Sequence, residues 1–515
     1  MKWLIPSSRA GALVRFGIAA VVVIALTATT TAVAGLLQFK QLGAEIGVTP
    51  PLPNPQLTIP DPGNPQTILV VGSDQRFGTS RVTAHTDTML LVRLDPNSKT
   101  INLVSVPRDL KVQIPGHGTG KLNGAYSLGG TKLLVKVLQR QVFPGLRVNH
   151  IVDVNFGGFK ALVDAIGCVY SDVDERYYNN TAVTDYADID LRPGYQRLCG
   201  ADALSFVRFR HGDNDIVRNA RQQDFIRWAK DQYGVGALIA NRDKLLRIFG
   251  AHTQTDGNLH SVDGLINLFN LVAFSAGHSI RQVKFPAILP NCAPSPALAT
   301  PATPQSPCDV TADPVKEQAT FNSFMTPTQP SSGSGGGGGA AAPPPRKGGQ
   351  APPPGPPPLT PDPADGRTQA AALRSVGMPV YFPRRVAPGS SYCSSMTSIC
   401  PVQIPSAGSY PRAYQIRDEH GVPYAAYRMT VAINPALGQY YGVQGTTWQK
   451  APILSNPNQT RTVNGKRLAL YLDGHKIALV AWRTPQGVYW ISNSLSDLLS
   501  NPQMLGIAAS LTRAP

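Results

Sequence analysis

Residues 67–72 read TILVVG, and the polar residues SDQR follow at 73–76. A short apolar run that ends in glycine is typical of a buried strand. Asp74 and Arg76 therefore leave the end of this strand and enter a loop. A carboxylate and a guanidinium at a strand end are a common site geometry in α/β folds.

Strands and helices alternate after this first strand. A turn sequence at 95–98 joins the next two strands, and apolar residues at helical spacing mark the helices. We predict strands at 88–94, 101–106 and 151–154, helices at 131–142, 159–166, 201–210, 218–233, 243–249 and 262–274, and a return to the sheet at 283–287. This alternation predicts an α/β fold, a three-layer α/β/α domain over 67–290.

The composition changes after residue 290. Residues 291–366 are rich in Pro, Gly and Ser, and we expect a disordered linker there. Residues 367–515 are predicted to form a separate small α+β domain, with strands at 424–431, 467–472, 477–482 and 487–491 and a helix at 494–511 that is interrupted near Asn501 and Pro502. Its Trp448, Trp482 and Trp490 suit either a core or a glycan-binding surface, so the role of this domain stays open.

An uncharged apolar run of 24 residues lies at 16–39 and is long enough to span a bilayer as a helix. Lys2, Arg9 and Arg15 precede it, which predicts a cytoplasmic segment 1–15 and an exported body. Residues 40–66 read as a Pro-rich spacer. A cleaved signal peptide is the alternative to the anchor, because Ala-Val-Ala at 32–34 resembles a cleavage site. We expect a single-pass cell-membrane protein whose body faces the cell wall.

The formal net charge is +16, which suits nucleic acid, anionic membranes or phosphate-rich polymers as partners. Export of the body excludes nucleic acid. The six cysteines have no zinc-ligand spacing, and an oxidising compartment favours disulfides. The simplest of the 15 possible pairings is local: Cys168–Cys199, Cys292–Cys308 and Cys393–Cys400.

Further charged segments flank the predicted strands and helices. Asp87 precedes the second strand, and Arg108 and Asp109 follow the third. The remaining segments supply Lys121, Asn123, Arg208, Arg210, Arg218, Arg221 and Gln222. Two carboxylates at adjacent strand ends can share a hard cation such as Mg²⁺, and arginine binds phosphate through two hydrogen bonds. The pattern favours a metal–polyphosphate site. Surface ion pairs are the alternative for any single segment.

Six ordered motifs strengthen this interpretation. Together they resemble the LytR–CpsA–Psr family over about a third of the chain, and they lie at Gly72–Arg76, Thr86–Met89, Val104–Asp109, Lys121–Tyr126, His150–Phe156 and Arg208–Gln223. The resemblance implies a membrane-anchored phosphotransferase that moves a glycopolymer from a polyprenyl-diphosphate carrier to the muramic acid 6-hydroxyl of peptidoglycan. It also implies an apolar cleft for the lipid.

The resemblance further implies residue roles. Asp74 and Asp87 would hold Mg²⁺, or Mn²⁺ in its place, and would form the catalytic set with Arg108 and Asp109. The diphosphate would be bound by Arg76, His85, Lys121, Asn123, Arg208, Arg210, Arg218, Arg221 and Gln222. The general base is Asp109 or Asp74, and the residues do not decide between them.

Two positions depart from the family pattern. His85 stands where the family usually has arginine, which weakens phosphate binding there or makes it sensitive to pH. Cys168 and Cys199 stand where glycine and a polar residue are usual, and we interpret them as a staple for the helix at 201–210. A polyprenyl-diphosphate hydrolase and a non-catalytic wall-assembly protein remain the alternative functions.

Overall fold

The computed structural model describes residues 51–52, 57–58, 64–74, 86–96, 98, 100–181, 188–209, 215–275, 277–288, 310–326, 358–394, 400 and 409–515. The predicted membrane span at 16–39 lies outside these residues. Within the described part of the chain, no helix is both long enough and apolar enough to cross a membrane.

The N-terminal body contains 14 strands, eight α-helices and a short π-helix (Leu138–Val142) among its described residues. The strands are β1 (Gln66–Ser73), β2 (Thr86–Leu94), β3 (Thr100–Ser105), β4 (Lys111–Ile114), β5 (Gly118–Lys121), β6 (His150–Asn155), β7 (Val169–Val173), β8 (Tyr177–Asn179), β9 (Ile189–Leu191), β10 (Gly194–Leu198), β11 (Thr253–Thr255), β12 (Ser279–Val283), β13 (Ala287–Ile288) and β14 (Thr311–Ala312). The helices are α1 (Leu122–Val137), α2 (Phe156–Ala165), α3 (Gly200–Arg208), α4 (Asp215–Gln232), α5 (Val235–Ala240), α6 (Arg242–His252), α7 (Val262–Ser275) and α8 (Pro314–Met325).

A six-stranded sheet in the order β11-β6-β1-β2-β3-β12 forms the centre of the body. Its side chains alternate between two apolar cores, as the two-residue period of a strand requires. Leu69 and Val71 of β1 face a core with α1 and α8, whereas Ile68 faces a second core with α6 and α7. The predicted three-layer α/β/α arrangement is therefore confirmed.

Two predicted elements are shifted. The helix expected from residue 131 begins at Leu122, and Gly129 and Gly130 interrupt it with non-helical backbone angles. Glycine adopts such angles at little steric cost, and the helical pattern in the sequence therefore begins only after this pair. The strand that returns to the sheet is Ser279–Val283, which pairs in parallel with β3, rather than 283–287.

The predicted linker at 291–366 is wrong for the part that the structure describes. Residues 310–326 fold onto the body, where α8 begins with the N-cap Asp313 followed by proline. Phe321 and Phe324 lie three residues apart on one helix face and enter the core beside α1, and Phe324 is fully buried. The Pro-rich surroundings concealed this short amphipathic pattern. Part of the predicted spacer also packs on the body, since Leu52 is buried in the same core.

The C-terminal region has 12 further strands, two α-helices and three short 3-10 helices among its described residues. The strands are β15 (Thr360–Pro361), β16 (Tyr381–Pro383), β17 (Arg385–Val386), β18 (Ser391–Tyr392), β19 (Arg412–Arg417), β20 (Pro423–Asn434), β21 (Gln439–Thr446), β22 (Gln459–Val463), β23 (Lys466–Asp473), β24 (Lys476–Thr484), β25 (Gly487–Ser492) and β26 (Leu511–Arg513). The helices are α9 (Pro363–Ala372) and α10 (Asn501–Ala509). The helix predicted at 494–511 is thus shorter, because Ser500 caps it in a capping box with Gln503.

An eight-stranded antiparallel sheet dominates this region, in the order β18-β20-β21-β25-β24-β23-β22 with β19 also paired to β20. One face, which includes Tyr489 and Ile491, packs under α9 and α10. The opposite face carries Trp490 and packs on Tyr170 and Tyr195 of the N-terminal body. The prediction of a separate domain is therefore wrong in one respect, because one face of its sheet packs against the N-terminal body.

Candidate functional site

The strand ends of the central sheet bring the predicted carboxylates to one edge. β1 is antiparallel to β2, and β6 is parallel to β1, so the ends of β1, β3 and β6 meet the start of β2. A register shift between Gly72 and Ser73 pairs Ser73 with Thr86. Asp74 directly follows Ser73 at the end of β1, and Asp87 directly follows Thr86 at the start of β2, so both carboxylates lie at this edge of the sheet. A Cβ at Gly72 would lie 3.0 Å from the Cβ of Thr88, which is tighter than ordinary packing.

Asp87 is held between two arginines. Arg108 Nη1 donates to one of its carboxylate oxygens, and Arg208 Nε lies 3.4 Å from the other. The three side chains are 17%, 12% and 22% exposed, so the group is accessible from solvent but partly desolvated. Partial desolvation strengthens the attraction of such arginines for an incoming phosphate.

Asp109 lies beside the same arginine. Its two carboxylate oxygens lie 3.1 Å from Lys121 Nζ and 3.7 Å from Arg108 Nε. The backbone N–H of Asn123 donates to the backbone carbonyl of Arg108 at 2.9 Å, which fixes the start of α1 against the loop that carries Arg108. Five of the predicted residues thus lie in one continuous group: Asp87, Arg108, Asp109, Lys121 and Arg208.

Arg208 is the last residue of α3, and its guanidinium lies 3.7 Å from the ring centroid of Phe156. Phe156 is the first residue of α2, which follows the end of β6. An aromatic face under a guanidinium stabilises the cation and restricts its orientation. The sequence reasoning did not assign a role to Phe156, although this residue closes one of the six motifs.

The predicted binding residues on α4 are more deeply placed. Arg218 and Arg221 are 1% and 0% exposed. Arg221 Nη1 donates to the carbonyls of Phe206 and Phe209 at 3.0 and 3.2 Å, and Gln222 Nε2 donates to the Val207 carbonyl at 3.1 Å. Arg221 and Gln222 therefore hold the end of α3, next to Arg208. Contact of these buried side chains with a diphosphate stays a prediction.

The other predicted residues fall into two groups. Arg76, His85, Arg210, Cys292 and Cys308 lie outside the described residues. The pairs Cys168–Cys199 and Cys393–Cys400 form disulfides, which confirms two of the three predicted pairs. Cys199 caps α3 at the end opposite Arg208, so the first disulfide ties the start of that helix to the loop after α2.

The donor set at the sheet edge fits a hard divalent cation. Asp74 and Asp87 offer carboxylate oxygens, which Mg²⁺ and Mn²⁺ accept, and substrate phosphates usually complete the shell of such ions. In the described parts of the chain, the one group of three metal-ligating residues within ligand distance is Asp164, Cys168 and Cys199. Its cysteines are joined in a disulfide, so it is not a metal site.

A carboxylate between two arginines, at the strand ends of a three-layer α/β body, defines a class of site that handles phosphate groups. The LytR_cpsA_psr family model matches residues 39–288, and this part of the chain is similar to that family.

The polyisoprenyl-teichoic acid–peptidoglycan teichoic acid transferase TagV of Bacillus subtilis (strain 168) is 31% identical over 206 residues, which are 39% of this chain and 51% of TagV. The transferase TagU of Oceanobacillus iheyensis is 31% identical over 207 residues, 39% of this chain and 61% of TagU. The chain thus spans about half to three-fifths of the length of these relatives. A solved structure of the LytR-CPS2A-psr family protein YwtF (TagT) with bound octaprenyl pyrophosphate lipid is similar at 22% identity, covering 52% of this chain and 93% of that chain, with a TM-score of 0.37.

Proposed function

We propose that this protein transfers a glycopolymer from a polyprenyl-diphosphate carrier to the muramic acid 6-hydroxyl of peptidoglycan. The observation that carries the proposal is the group in which Arg108 and Arg208 flank Asp87 at the sheet edge. The names of TagV and TagU, which specify a polyisoprenyl-linked donor and a peptidoglycan acceptor, support the substrate class.

The reaction forms one phosphorus–oxygen bond and breaks another. The 6-hydroxyl oxygen attacks the phosphorus that carries the sugar, and the bond from this phosphorus to the bridging oxygen breaks. Polyprenyl phosphate leaves, and the hydroxyl proton passes to a carboxylate. Asp109 and Asp74 are the candidates for this base, since both lie at the same edge.

Charge neutralisation is the main task of the side chains, as in other phosphoryl transfers. Arg108 and Arg208 are positioned before the substrate arrives, so little reorganisation is needed when negative charge builds up on the transferring phosphoryl group. A Mg²⁺ ion held by Asp74 and Asp87 would neutralise further charge on the diphosphate.

The lipid chain would lie on the face of the central sheet that α6 and α7 cover. Several apolar side chains on this face are only partly buried, and they include Val70, Val92, Val154, Phe249, Ile266, Leu268, Phe269 and Leu271. The two disulfides support a body that lies in an oxidising compartment outside the cytoplasm.

One assay separates transfer from its alternatives. The full chain in detergent is incubated with a lipid-diphosphate-linked oligosaccharide, peptidoglycan fragments and Mg²⁺, and the products are identified by mass spectrometry. We expect a sugar–phosphate–muramyl adduct that needs the divalent cation and disappears in Asp87→Ala. Free sugar phosphate without the adduct would indicate a hydrolase. Absence of both products would indicate a non-catalytic role.

A further inference from the structure

The C-terminal sheet contacts the body through a buried polar network in addition to aromatic packing. Arg428 of β20 is 1% exposed and Gln444 of β21 is fully buried. Both side chains lie on the sheet face that carries Trp490. This network reaches the body at residues 172–176, directly before the strand that carries Tyr177.

Arg428 donates hydrogen bonds to two residues of the segment 172–176. Its Nη1 lies 2.5 Å from an Asp172 carboxylate oxygen, and its Nη2 donates to the Asp174 carbonyl at 3.0 Å. Gln444 Nε2 donates to the other Asp172 oxygen at 2.8 Å. Ser409 and Tyr410, also from the C-terminal region, accept hydrogen bonds from Arg176 at 2.7 Å each.

The same segment is connected to Arg221 through Asp174 and Tyr177. The Asp174 carboxylate accepts a hydrogen bond from the Tyr177 hydroxyl, and the Tyr177 ring lies 4.4 Å below the Arg221 guanidinium. The pKa of Asp174 is raised overall, because burial raises it more than the charges of Arg221 and Arg428 lower it. The two arginines therefore act on one buried carboxylate from opposite domains.

Arg221 in turn holds the end of α3, through its hydrogen bonds to the carbonyls on either side of Arg208. Arg208 lies 3.4 Å from Asp87 in the candidate site. A continuous chain of contacts thus runs from the C-terminal sheet to the phosphate-handling group.

We propose that Arg428 is a positioning residue: by fixing residues 172–177 from the C-terminal domain, it sets the orientation of Arg221 and hence of Arg208 in the diphosphate site. The C-terminal domain is then a required part of the active site's support rather than an appended module. This inference rests on the proposed function for the identity of the ligand, and on the contacts alone for the coupling.

Arginine suits this position because its planar guanidinium donates hydrogen bonds to two acceptors at fixed directions, whereas the ammonium of lysine is a compact point charge. Arg428→Lys keeps Asp172 compensated and so preserves folding, but it cannot hold both Asp172 and the Asp174 carbonyl. Arg428→Met removes the charge, and the buried Asp172 then destabilises the protein strongly. Arg412→Met is the matched control, because Arg412 also crosses the interface but donates to the Pro193 carbonyl in a different turn.

The experiment measures two properties of the full chain for each variant: hydrogen–deuterium exchange in residues 200–209 and affinity for inorganic pyrophosphate. We expect Arg428→Lys to increase the exchange at the end of α3 and to weaken pyrophosphate binding about tenfold, while Arg412→Met stays within about twofold of wild type. If Arg428→Met does not fold, Arg428→Lys decides the question.

The inference is overturned if Arg428→Lys matches Arg412→Met in pyrophosphate affinity, whether or not the exchange changes. A wild-type protein that binds pyrophosphate but makes no adduct would contradict the proposed function and leave the positioning role standing. A wild-type protein that binds no pyrophosphate would contradict both.

Discussion

At the scale of single residues, the site depends on guanidinium groups whose directions are fixed before any ligand binds. Arg108 is fixed by Asp87 and lies next to Asp109, whereas Arg208 is fixed by Asp87 and the Phe156 ring. Fixed cations stabilise developing charge without the cost of reorientation. Phe156 is therefore as much a part of the site as the charged residues it supports.

We expect Phe156→Leu to weaken pyrophosphate binding about 2- to 30-fold, since a partly desolvated cation–π contact contributes roughly 0.5–2 kcal/mol. Titration calorimetry on the full chain measures this. Phe159→Leu is the matched control, because Phe159 lies on the same helix and packs on Phe225 instead of an arginine. Equal affinities for the two variants would contradict a role for the Phe156 ring.

At the scale of elements, the first strands of the body were predictable and α8 was not. β1 and β2 carry continuous apolar runs, which are typical of strands in a sheet that is covered on both faces, and the charged residues at the strand ends follow from chain order. Helix α8 has only Phe321 and Phe324 as apolar anchors within a region of high Pro content, so composition outweighed the pattern. The contact of Arg221 with Tyr177 joins residues far apart in sequence and left no local signal.

We expect Phe324→Ala to destabilise the protein by about 3–5 kcal/mol, the usual cost of removing a fully buried phenylalanine. The midpoint of thermal unfolding then falls clearly below that of Val315→Ala, a substitution on the exposed side of the same helix, where Val315 is 78% exposed. Circular dichroism on heating gives both midpoints. A shift as small as that of Val315→Ala would mean that residues 310–326 are not part of the core.

At the scale of the whole molecule, the two sheets share one buried interface. Both faces of strand β25 are apolar, because Tyr489 and Ile491 lie on one face and Trp490 lies on the other. The sequence could not indicate that the body covers the second face, because apolar alternation records burial and not the partner. The interface also contains Asp224, which lies 2.7 Å from Arg227 near Asp497.

This interface makes stability depend on pH. Burial raises the pKa of Asp224 to about 7, whereas the unfolded carboxyl has a pKa of 3.8. The folded state therefore keeps this proton up to about neutral pH, and stability decreases as pH rises from about 4 through 7. At 1.36 kcal/mol for each pKa unit, the decrease from this group is at most about 4 kcal/mol.

We expect Asp224→Asn to remove most of this decrease, and unfolding midpoints measured between pH 4 and pH 8 test it. Asp231→Asn is the control, because Asp231 lies on the same helix with a side chain that is 55% exposed. If Asp224→Asn and wild type lose stability in parallel over this range, then Asp224 does not carry a raised pKa in the folded protein.

The proposed transfer reaction requires the arginines at the edge of the central sheet to stabilise the transferring phosphoryl group. The most direct measurement is the initial rate of adduct formation by Arg108→Ala, compared with Arg93→Ala. Arg93 lies on β2 at the opposite end of the same sheet, where it donates to Thr67 at 3.3 Å. We predict a rate about 100-fold below wild type for Arg108→Ala, the usual effect of removing one preorganised donor, and a rate near wild type for Arg93→Ala. Equal rates for the two variants, with both proteins folded, would contradict the claim.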